Sequence, residues 1–106
     1  MVMTWWMKQE DDLTADMLGL LSDMLSEDDP RPAKEQFDSN YQHGGGWVAM
    51  PRFSFDPSSR AIRYPGDPPM RPIAHTHLRG ELILIYPHAW VCIVQPDGSF
   101  EVARMD

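Results

Sequence analysis

The fold is decided between residues 73 and 104, IAHTHLRGELILIYPHAWVCIVQPDGSFEVAR. Four short runs stand there: Ile73 to Leu78, Glu81 to Tyr86, Ala89 to Val94 and Ser99 to Arg104. Their separators are Arg79-Gly80, Pro87-His88 and Gln95 to Gly98. Runs of this length with β-branched and aromatic residues read as strands, and such short separators leave room only for hairpins. The expectation is an antiparallel meander. Leu82 to Tyr86 is apolar throughout, which suits a central strand covered on both faces.

The same grammar extends back to Trp47. Phe53 to Phe55 and Ala61 to Tyr64 flank Asp56-Pro-Ser-Ser59, a turn with proline at its second position. Tyr64 to Pro69 carries three prolines and reads as an extended loop. Before Trp47, His43 to Gly46 ends all helical order and acts as a flexible joint. Further upstream, Leu13, Met17, Leu20, Leu21, Met24 and Leu25 form one apolar stripe on a helix. Asp11, Asp12 or Thr14 can cap its start, and Ser26 to Pro30 ends it. Arg31 to Tyr41 reads as a second, shorter helix with Pro32 in its first turn. Trp5-Trp6-Met7 is too apolar for a free tail and packs either as an edge strand or in a dimer contact. The expected class is α+β. One long and one short N-terminal helix pack on a curved antiparallel sheet, a meander or partial barrel, formed by the C-terminal two-thirds. Residues 1–106 form one domain, with an acidic helical part over 1–45 and a β-rich part over 46–106. Strand edges leave a homodimer open.

Charge divides the chain the same way. The net charge of −7 sits on the first forty residues, where ten acids face three bases. The remainder balances six acids against six bases, all of them arginine. An acidic front opposes binding to a phosphate backbone and fits a partner with a basic surface, or is simply a solvated helix face. No run approaches the roughly 18 apolar residues that cross a bilayer, and the first residues lack the basic-then-apolar order of a signal peptide. A cytoplasmic protein that engages no membrane is expected. The single cysteine, Cys92, rules out an internal disulfide and, lying in an apolar run, reads as a buried hydrophobe.

His75-Thr-His77 carries the most pointed chemical signal. Residues i and i+2 of a strand share a face, so both imidazoles can reach one metal ion. With Glu81 they form His-x-His-x-x-x-Glu, which resembles the metal-binding motif of the cupin family from His75 to Gly98. That resemblance implies a divalent metal held by His75, His77 and Glu81 inside a small β-barrel. His88, which stands where the family has a glycine, is an outside candidate for the same ion. His43-Gly-Gly-Gly46 matches, as a string, the oxyanion-hole segment of some lipases, but no Gly-x-Ser-x-Gly elbow accompanies it.

Trp47, Tyr64, Trp90 and Phe100 can build an aromatic surface among the arginines, and Arg, Tyr and Trp are enriched in binding hot spots. The alternative is that these arginines pair with acids of the helical half. The candidate interaction surface comprises Asp28, Asp29, Trp47, Arg63, Arg71 and Arg79. The expected function is a small non-catalytic acidic protein that binds another protein. It is comparable in size and charge to accessory proteins of phages and mobile elements, and needs no cofactor. The alternative is a metal-binding β-domain using the histidine cluster. Nucleic acid is disfavoured by the acidic balance and the lack of an RNP-type pattern.

Overall fold

Turn chemistry at residues 79–80 sets the register of the sheet. Arg79 and Gly80 both take positive φ, 46° and 84°, the twist that a two-residue hairpin requires. Leu78 then faces Glu81 across the strand pair. The computed structural model describes residues 5–7, 12–40 and 47–105. In chain order its elements are β1 (Trp6–Met7), α1 (Asp12–Met24), α2 (Ala33–Asn40), β2 (Trp47–Ala49), β3 (Ser54–Phe55), β4 (Ile62–Arg63), β5 (Ala74–Leu78), β6 (Glu81–Ile85), β7 (Trp90–Val94) and β8 (Phe100–Met105). The glycine joint at 43–46, Tyr41 and the cap candidate Asp11 lie outside the described residues.

The expected meander is present as β5 to β8, antiparallel throughout. It is widened at both edges, giving the order β1-β5-β6-β7-β8-β2. The sheet is therefore not the work of the C-terminal two-thirds alone. Trp6 and Met7 pair with His75 and Ala74, so the apolar start of the chain is an edge strand. Trp47 to Ala49 pair with Ala103 to Met105 at the opposite edge. With two α-helices and an antiparallel sheet among the described residues, the class is α+β.

Alternation along the strands divides the apolar side chains between two clusters. Ala74, Leu78, Ile83, Ile85, Val91 and Ile93 face the helices, where they meet Leu18, Leu21 and Leu25 of α1 and its end, and Ala33 and Phe37 of α2. Leu84, Tyr86, Cys92 and Val102 point the other way, against Phe53 and Ile62. The second cover of the sheet is thus the β3–β4 hairpin, paired through Ser54–Arg63 and Phe55–Ile62. Its inward residue Ile62 is fully buried and also bridges Met70, with N···O distances of 3.0 and 2.8 Å. That bridge folds the proline-rich 64–70 loop back beside the hairpin, and Gly66 takes φ 90° in its turn.

The β5–β6 turn gives a direct test of the register argument. A Cβ added at Gly80 would carry a positive φ and meet Pro96 Cγ at 3.2 Å. Gly80→Ala is expected to destabilise the protein by about 1 kcal/mol or more, measured by urea denaturation. An unchanged midpoint would mean that this turn does not set the pairing.

Candidate functional site

His75 and His77 lie on one face of β5, as a period of two requires, with ring centroids 5.9 Å apart. Trp6 of the edge strand stacks on His75 at 5.3 Å and meets His77 edge-on at 6.1 Å. Burial, followed by the neighbouring positive charges of Arg60 and His77, lowers the His75 pKa. Glu81 stands apart from this pair. It opposes Leu78, which is one residue out of phase with His77 and faces the helices. Its carboxylate is buried there, accepting the Ala33 N–H at the start of α2 at 3.0 Å and the Gln95 Nε2 amide at 3.0 Å. The three residues of the cupin-like motif therefore do not converge, because the two-residue turn places Glu81 on the opposite face of the sheet. His88 sits exposed in the β6–β7 turn. Among the described residues no group of three His, Cys, Asp or Glu side chains is arranged to hold a metal ion.

The candidate interaction residues separate into two classes. Asp29 is bound by Arg31 through a 2.6 Å ion pair, and that hydrogen bonding lowers its pKa to about 2. Arg79 donates to the carbonyls of Glu27 and Arg31 at 2.6 and 2.9 Å, clamping the α1–α2 connection to the sheet. Trp47 stacks on Phe37 at 5.9 Å and donates to Glu101 at 2.6 Å. These three serve the architecture. Asp28, Arg63 and Arg71 remain exposed.

Neither reading of the arginines covers all of them. Arg79 does hold the helical half to the sheet, but through carbonyl oxygens rather than carboxylates. Among the described residues Arg52, Arg60, Arg63 and Arg71 form no ion pair, and the ion pairs there are Arg31–Asp29 and Lys34–Glu101. Arg63 Nε donates to the Asp67 carbonyl at 3.1 Å. Asp56, beside them, is occupied by Ser58 and Ser59, whose hydrogen bonds lower its pKa.

On this hairpin face a groove of about 510 Å³ opens between the 64–70 loop and the ends of β7 and β8. Met50, Phe53, Tyr64, Met70 and Trp90 line it, and Asp67 and Arg104 supply its charged groups. Phe53 packs against Trp90 and Tyr64 with centroids 4.8 and 5.4 Å apart. The Arg104 guanidinium lies 5.7 Å from the Trp90 ring centroid. Apolar walls with a few charged groups are typical of recognition pockets. A second depression, about 410 Å³, adjoins it in sequence, with Ser54, Ser59, Arg63 and Arg71 in its lining. Sequence reasoning named Tyr64 and Trp90 but missed Met50, Phe53 and Met70. Cys92 is buried, and burial pushes its thiol up to about 12, so it is no nucleophile.

Comparison with family models, with curated proteins and with solved structures finds no match. No helix among the described residues is long and apolar enough to cross a membrane. Function therefore rests on the geometry.

Removing the Glu81 carboxylate strands the buried Ala33 N–H. Glu81→Ala is expected to cost about 1–3 kcal/mol in a denaturation experiment. A variant as stable as the parent would show that α2 is anchored by other contacts.

Proposed function

We propose that this chain is a small non-catalytic interaction protein that binds another protein through its hairpin face. The supporting observation is the distribution of charge across the sheet. Asp23, Glu27, Asp28, Glu35 and Asp38 are exposed on the helical side. Around the hairpin and its aromatic groove, Arg52, Arg60, Arg63 and Arg71 form no ion pair among the described residues. Arginines beside clustered aromatics are the composition of binding hot spots. The acidic helical face supplies a second surface, suited to a basic region of a partner.

The test is affinity capture from extract of the native source, at low salt and at about 0.5 M salt, where exposed charges are screened. Arg63→Glu with Arg71→Glu is expected to reduce recovery of the captured protein roughly tenfold while leaving the melting temperature unchanged. Asp28→Lys reports separately on the helical face. Recovery insensitive to both charge reversals and to salt would overturn the proposal.

A second reading, a small metal-binding β-domain, is favoured by the adjacency of His75 and His77. On that reading Zn²⁺, Ni²⁺ or Mn²⁺ raises the melting temperature of chelator-free protein, because an ion that binds only the folded state stabilises it by mass action. His75→Ala with His77→Ala would abolish the rise. A melting temperature indifferent to all three ions ends this reading.

A further inference from the structure

We infer that the aromatic groove on the hairpin face receives an acidic linear segment of a partner protein, seating one bulky apolar side chain among Phe53, Tyr64 and Trp90. The inference rests on the reading of this face as a recognition surface and names its occupant.

The size and lining of the groove specify the anchor. About 510 Å³ exceeds a single large side chain and falls in the range of pockets that bury most of a small ligand. Its walls are three rings and two thioether side chains, which conform to aliphatic and aromatic groups alike. The rings are tilted by 52° and 59° against Phe53. They close around a concavity instead of presenting flat parallel faces to successive bases.

Charge specifies the flanks. Arg52, Arg63 and Arg71 are the chain neighbours of the groove residues Phe53, Tyr64 and Met70. Arg63 and Arg71 line the adjoining depression together with Asp56, whose carboxylate already accepts the Ser58 and Ser59 hydroxyls at 2.9 Å. A carboxylate placed there meets planar guanidinium donors that no side-chain carboxylate among the described residues engages in an ion pair. The molecule as a whole, at net −7, repels a long polyanion while leaving a short acidic segment to the local field. These features together favour an acidic peptide over a nucleic-acid strand.

The experiment uses the full chain labelled with ¹⁵N and four probes read by amide chemical shifts. They are the capped peptides Glu-Glu-Phe-Glu-Glu, Glu-Glu-Ala-Glu-Glu and Lys-Lys-Phe-Lys-Lys, and an oligothymidylate of about ten nucleotides. The acidic Phe peptide is expected to shift Phe53, Tyr64, Met70 and Trp90. It should bind roughly tenfold tighter than the Ala and Lys peptides. Arg63→Glu with Arg71→Glu, whose folding the same spectra report, should weaken it by a similar factor. No shift at the groove, or a Lys peptide that binds as well, overturns the inference. Preferential binding of the oligothymidylate overturns it in favour of nucleic acid. If the peptide fails while protein capture still depends on Arg63 and Arg71, only the occupant is wrong. If both fail, the recognition surface falls with it.

Discussion

The carboxylate of Glu81 joins the two halves of the molecule. A buried charge is costly unless it is hydrogen-bonded, and here both oxygens have donors. One comes from the first turn of α2 and one from Gln95 beyond the end of β7. The acid also lies at the positive end of the α2 dipole. Its chain neighbour-but-one, Arg79, holds the carbonyls of Glu27 and Arg31 from the same hairpin turn. Gln36, fully buried, closes the arrangement by accepting the Ser26 N–H and donating to the Arg31 carbonyl, both at 2.8 Å. The α1–α2 connection, rich in acids and interrupted by prolines, is thereby fixed by polar contacts where apolar ones are scarce. Residues that look like a metal ligand and a surface arginine in one dimension are the joint of the fold in three.

That joint also shows what could be read from the chain and what could not. β5 to β8 were legible because each separator is too short for anything but a hairpin. The shared face of His75 and His77 followed from strand period alone. The side taken by Glu81 was open to sequence reasoning but undecided by it. Once the turn is two residues long, residue 81 must oppose residue 78, whose phase excludes His77. The edges β1 and β2 were harder, since two- and three-residue strands carry almost no periodic signal and exist through their partners. The groove was not legible at all as a unit. Met50, Phe53 and Met70 meet there because Ile62 bridges Met70 across the proline loop, a contact that no local pattern announces.

The second cover of the sheet has a physical rationale. Leu84, Tyr86, Cys92 and Val102 would otherwise form an exposed apolar patch on the face away from the helices. A hairpin this short cannot cover it with its strands alone. Phe53 and Ile62 do most of the sealing, helped by Tyr86, whose hydroxyl donates to the Arg60 carbonyl at 2.6 Å. Burial raises the Tyr86 pKa, so that hydroxyl remains a donor. The cover stops short of Trp90 and Tyr64, which are left half-buried, and the groove is what remains uncovered.

Net charge is a property of the whole chain, but docking is a property of one face. A value of −7 points to a basic partner and away from arginine-mediated recognition. The sheet divides that total unevenly. Asp23, Glu27, Asp28, Glu35 and Asp38 lie on the helical side. Around the hairpin, Arg52, Arg60, Arg63 and Arg71 outnumber Asp56 and Asp67 and form no ion pair among the described residues. Over a Debye length of about 8 Å at physiological salt, the field at the groove is set by its neighbouring arginines and Asp67 far more than by the acids beyond two packed layers. After Lys34 every basic side chain other than histidine is an arginine. A lysine on the hairpin face would be a mobile, strongly hydrated point charge, whereas a guanidinium can lie flat on a ring, as Arg104 does on Trp90. The β-rich part thus sets its arginines beside the aromatic rings of the groove, on the face of the sheet turned away from most of the carboxylates of the helical part.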